Sequence, residues 1–152
     1  MGIVRQLQHW LSGSGPRLQV RDFVPDDHYL RLWADTFPWA QMVERVDQHM
    51  ATHFPKETQR GRWPVSTRVL LALELLKAEL TCSDEQICSR LRTDFAVMYV
   101  CGIEVVQADR QQSHFVLPEI LAQFRSRLND ELMAAVLQIQ ATAALDEGLV
   151  SP

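Results

Sequence analysis

A chain of 152 residues, 47% hydrophobic and 22% charged, has the length of one domain and can bury about two-thirds of its unfolded surface. Its net charge of −4 argues against a strong, indiscriminate polyanion binder. Apolar runs such as VLLAL at residues 69–73 are far short of the roughly 20 residues a membrane span needs.

The charge is unevenly placed. Residues 1–25 carry three arginines against Asp22, residues 26–55 two bases against five acids, residues 56–128 ten against nine, and residues 129–152 four acids and no base. The acidity therefore belongs to two flanking segments, and DNA binding by local basic clusters is permitted. Leu, Ala, Gln and Arg are plentiful while alternating Val, Ile and Thr are scarce, which predicts an all-α, compact multi-helix bundle. The N-terminus lacks the continuous apolar core of a secretion signal, so the protein is expected in the cytoplasm. Cys82, Cys88 and Cys101 are an odd count on apolar faces, as expected of reduced core thiols.

Residues 1–25 read as an N-terminal arm: the amphipathic piece VRQLQHWL, the break SGSGP, then RLQVRDFVP, expected to be extended. The helical domain is expected over residues 26–147. Asp26 or Asp27 is the expected cap of a first helix carrying Tyr29, Leu30, Leu32 and Trp33, which Pro38 ends. A second helix over residues 39–53 places Met42, Val43, Val46 and Met50 on one face. After the polar loop PKETQRGRWP, Ser66 caps TRVLLALELLKAEL, whose apolar residues nearly all round predict a central helix.

In TCSDEQICSRL, Ser83 and Gln86 have capping-box spacing, and Asp84 and Glu85 suit the first-turn dipole. Ile87, Cys88 and Leu91 form the predicted buried stripe. A short helix, FAVMYVC, meets Gly102, whose left-handed conformation followed by Ile103 predicts a Schellman stop. EVVQADRQQSH then leads to Pro118 at a helix start. Leu121, Phe124 and Leu128 anchor that helix, Asn129 and Asp130 break or re-cap it, and ELMAAVLQIQATAAL ends before Gly148.

The chain shows no catalytic motif. His49 and His53 have the spacing of a metal pair, but Met50 stands where a zinc protease needs Glu. Cys82, Cys88, Cys101 and His114 include no C-x-x-C knuckle. The carboxylates fall in caps, on exposed faces and in the acidic tail rather than in a set able to converge on metal. No metal and no cofactor are expected.

The order of the pieces is informative: VPDDHYLRLWADTFPW, the loop ending at Pro64, VLLALELLKAEL, TCSDEQICSRLRTD, FAVMYVCGI, then LAQFRSRL. Over residues 23–150 this resembles the N-terminal domain of InsH-like bacterial insertion-sequence transposases. The resemblance implies a domain with a helix-turn-helix-like unit that recognises the element's terminal inverted repeats. In that family it precedes a catalytic RNase H-like domain with a DDE metal-binding triad. DEGLVSP resembles the linker before that domain, so residues 148–152 are expected to begin it. The implied reading is double-stranded DNA binding in the nucleoid without nuclease activity, in a truncated reading frame, an expressed fragment or a small independent protein. Pro118 and Gln123 depart from the family pattern, which more often has Ser, Thr or Asp and a basic residue there.

The residues expected at DNA are Arg60, Arg62, Arg68, Arg90, Arg92, Gln123, Arg125, Ser126 and Arg127. Arg60, Arg62 and Arg68 flank the start of the central helix, where cations suit phosphate. Gln123, Ser126 and Arg127 share one outer surface, and such residues read base edges in a major groove. The competing expectation is that Arg125 and Arg127 pair with Glu119, Asp130 or Glu131. Arg90 and Arg92 also suit their helix C-terminus without any ligand. A second class of function is association. Leu132, Met133, Val136, Leu137 and Ile139 form an apolar face for a homodimer or for pairing with full-length transposase, and a domesticated transcriptional regulator is a third reading.

Overall fold

Fourteen residues with apolar side chains on nearly every side must be covered on nearly every side, and the fold is the solution to that requirement. The structure is a computed structural model that describes residues 18–55, 65–106 and 116–148. Its helices are α1 (Tyr29–Asp35), α2 (Trp39–His53), α3 (Thr67–Leu80), α4 (Asp84–Thr93), α5 (Phe95–Val100), α6 (Pro118–Arg127) and α7 (Asp130–Asp146), preceded by a 3-10 turn, Val20–Phe23. Helix α3 is the central one, burying Val69, Leu70, Leu71, Ala72, Leu73 and Leu76 against α2, α4 and α6. Around that layer, α7 packs on α2, while α1 and the 3-10 turn pack on α5. The protein is thus an all-α bundle, and among the described residues no helix is long and apolar enough to cross a membrane.

Local chemistry sets most helix ends. Ser66 accepts from Val69 N–H at 3.3 Å. Ser83 and Gln86 complete a reciprocal capping box, at 3.1 and 2.9 Å. Asn129 caps α7 through Leu132 N–H at 2.7 Å. Helix α5 stops as a Schellman motif: Gly102 has φ +76°, its N–H reaches Tyr99 O and that of Ile103 reaches Met98 O, both at 3.0 Å. Each such cap stabilises its helix by roughly 1 kcal/mol. Thr81 is the exception, a left-handed non-glycine residue (φ 52°) at the end of α3.

Two expectations are corrected. The cap of α1 is His28, whose Nδ1 accepts from Leu30 N–H at 3.2 Å, because Asp26 is turned to the Arg31 guanidinium at 3.0 Å. The stretch RLQVRDFVP is not an extended piece where it is described. Gln19 alone bridges to Val105, and the chain then coils into the 3-10 turn. Burial of Val20 and Val24 and stacking of Phe23 on Phe95, centroids 4.7 Å apart, hold that turn against α5. The apolar face of α7 is mostly covered by the bundle, with Leu137 left exposed. Leu132 and Val136 are 1% and 0% exposed, and Ile139 packs on the same core.

The cysteines are unpaired, with Cys88 and Cys101 buried. Burial pushes the Cys88 thiol up to about 11 and Cys101 further up, so both are inert at neutral pH.

Candidate nucleic-acid interface

Arginine supplies most of the predicted contacts, and the fold sorts these arginines by what their guanidinium groups touch. Arg125 leaves α6 toward the junction of α3 and α4. Nη1 lies 2.8 Å and Nη2 2.9 Å from the two carboxylate oxygens of Asp84, and Nη1 also reaches Glu74 at 3.0 Å. Lys77 closes the cluster by pairing with Asp84. Hydrogen bonds from Arg125 hold the Asp84 carboxyl far below the usual carboxylate range. Burial raises Glu74 despite the nearby Arg125 charge, and the Arg125 guanidinium is driven further toward its protonated form by Asp84. Ion pairing of Arg125 is as anticipated, but its partners come from α3 and α4, not from Glu119, Asp130 or Glu131.

Arg68, at the second position of α3, is half-buried. Its guanidinium carbon sits 3.8 Å from the ring centroid of Trp39, and Nε and Nη2 donate to Val100 O at 3.3 and 2.9 Å. The charge thereby closes the C-terminus of α5, where a cation is favoured. Desolvation pushes its pKa down to about 10, so it remains protonated at neutral pH. A Cβ at Gly102 would lie 3.3 Å from the Arg68 guanidinium carbon, so glycine there serves both the helix stop and this close approach.

Arg90 and Arg92 are exposed near the end of α4, the former 4.0 Å from Cys82 Sγ. On α6, Gln123 and Ser126 are exposed, and the Ser126 hydroxyl donates to Gln123 O at 2.7 Å. Arg127 is half-buried, its guanidinium 5.6 Å over the Phe54 ring. Its carbonyl lies 2.9 Å from His49 Nε2, and His49 stacks on His53 at 4.3 Å. That contact accounts for the buried histidine by tying α2 to α6. Among the described residues no group of three or more His, Cys, Asp or Glu side chains is arranged to hold a metal ion. Arg60 and Arg62 lie outside the described residues.

The structure brings together α4 and α6, which pack on each other and carry Arg90, Arg92, Gln123, Ser126 and Arg127. It does not bring Arg68 to Arg125. Arg68 and the Glu74 that meets Arg125 are about 9 Å apart along α3 and about a third of a turn apart round it. Arg68 instead lines a cleft of about 510 Å³ together with Arg21, Asp35, Trp39, Tyr99 and Glu104. Sequence reasoning did not find this cleft. Its walls come from five separate elements, and no spacing signals that an arginine will stack on a tryptophan 29 positions earlier.

The fold is therefore that of a helical domain with polar and basic side chains on its outer helices. A family model described as Transposase domain (DUF772) matches residues 18–127, most of the chain, and the chain belongs to that transposase-domain family. The match takes in α1 to α6 and stops at the end of α6, before α7. Searches of curated proteins and of solved structures gave no match.

Proposed function

We propose that this chain is the DNA-recognition part of an insertion-sequence transposase of the InsH-like kind, reading terminal inverted repeats in double-stranded DNA. Membership of the transposase-domain family over residues 18–127 carries the reading. The outward side chains of the paired helices α4 and α6 supply its chemistry. Arg90, Arg92 and Arg127 serve as phosphate contacts, and Gln123 and Ser126 have the donor and acceptor groups that read base edges. Arg60 and Arg62 are assigned to phosphate as well. Arg68 and Arg125 support the scaffold from which these groups project, although Arg125 remains 41% exposed at its side chain. No catalytic role is assigned to any of these residues.

The test is a fluorescence titration of a labelled duplex carrying the flanking genomic repeats at two salt concentrations. Affinity should fall with salt at a log–log slope of about −0.9 per phosphate contacted. The double variant Arg90→Gln, Arg92→Gln should lower that slope by about 2 while leaving the thermal melt unchanged. Absence of binding at low salt would end the reading.

Leu137 and Leu145, 50% and 46% exposed on α7, favour a second reading, association with another copy or with intact transposase. Both are placed to meet a partner without disturbing the α2–α7 contact, unlike Val136. Light scattering on the Leu137→Asp variant decides it: a dimer that dissolves supports association, and a wild-type monomer removes it.

A further inference from the structure

We infer that the cleft between the 3-10 turn, the α1–α2 junction and the C-terminus of α5 is a binding site for a phosphate group, held by Arg68 and Arg21. Three observations meet there. First, Arg68 is half-buried and its charge is desolvated, yet no carboxylate lies within ion-pairing distance among the described residues. Arg125 and Lys77, also partly buried, are both matched by Asp84. Second, two of the five guanidinium N–H groups of Arg68 are used on Val100 O, which leaves three without an acceptor among the described residues. Stacking on Trp39 fixes the plane in which they point, and such a pre-set fork suits a tetrahedral oxyanion.

Third, Arg21 also lines the cleft and brings a second positive side chain to its rim. It is exposed, and its backbone carbonyl, which accepts from Arg31 at 3.2 Å, anchors the 3-10 turn that carries it. The acids of the cleft do not take the place of a ligand. Asp35 accepts from the Tyr99 hydroxyl at 2.7 Å, and neither Asp35 nor Glu104 figures among the charges that act on Arg68. At about 510 Å³ the cleft falls within the range of small-ligand sites. It holds more than a bare phosphate, so the group can arrive on a nucleotide, on a DNA strand or free.

This site is distinct from the α4–α6 face, and inorganic phosphate probes it without DNA. The experiment titrates the full chain with inorganic phosphate by ³¹P NMR, and separately with the repeat duplex, for wild type, Arg21→Ala and Arg68→Gln. Arg21→Ala should weaken phosphate binding about tenfold, as expected for one charge-assisted contact, with no change in thermal melt because Arg21 is exposed. Arg68→Gln should abolish phosphate binding. If duplex affinity falls alongside in Arg21→Ala, the phosphate is that of DNA. If only phosphate binding changes, the ligand is a free phosphate or phosphomonoester. Wild type showing no phosphate binding, or Arg21→Ala binding it as tightly as wild type, would overturn the inference. Duplex binding by α4 and α6 could survive either result, so the two readings fail separately.

Discussion

Arg125 and Arg68 are the same side chain placed in two different electrostatic settings. At the junction of α3, α4 and α6, Arg125 meets two carboxylates and a neighbouring lysine, and its charge is consumed holding three helices together. In the cleft beside α5, Arg68 meets an indole face and a helix-end carbonyl, partners that satisfy its geometry but not its charge. The contrast separates arginines that build the domain from those with charge left to offer a ligand. Exposure alone would rank the two the other way.

Breaking the junction should have the larger effect. Asp84→Ala removes the anion shared by Lys77 and Arg125 and a first-turn carboxylate of α4, and should cost about 3 kcal/mol in urea unfolding. Arg125→Met keeps the packing and should cost about 1–2 kcal/mol, less than a buried pair would because Arg125 is 41% exposed. An Asp84→Ala variant as stable as wild type would dissolve the contrast.

Acid sharpens the same comparison. Asp84 has a depressed pKa when folded, so its stabilisation is present above the unfolded value and is lost as pH falls through the folded one. Stability should drop below about pH 4. Glu74, raised by burial, acts with opposite sign: its protonation relieves a penalty present at neutral pH and softens the drop. Measured by chemical denaturation at stepped pH, Asp84→Asn should show a shallower acid limb than wild type. The cleft contributes nothing to that limb, because Arg68, at about 10, titrates only in base. The smallest effect lies at the end of α3 remote from Arg68. Thr81 holds a left-handed conformation at the end of α3, and Thr81→Gly should stabilise by about 0.5 kcal/mol in the same denaturation assay, strain relief exceeding the added unfolded-state entropy.

Much of the architecture was legible in the residues. The bounds of α2 and α3, the Ser66 cap, the Ser83–Gln86 box, the Gly102 stop and the Pro118 start are written in short-range chemistry, settled among residues within about five positions of each other. The misreadings are equally instructive. Asp26 could cap α1 by type, but it turns to Arg31, five positions on in that helix, and His28 takes the task. The alternating RLQVRDF reads as extended, yet burial of Val20 and Val24 against α5 coils it. Sequence also shows that α7 has an apolar face, but not that α2 packs on that helix.

The sequence by itself determined the helices, their caps and the buried stripes, because those depend on periods of three and four residues that any stretch carries within itself. The tertiary structure alone decided the fate of each arginine. Whether a guanidinium meets Asp84, Trp39 or solvent depends on which elements arrive beside it, over separations of 29 to 41 positions. Charge acts through space and not along the chain.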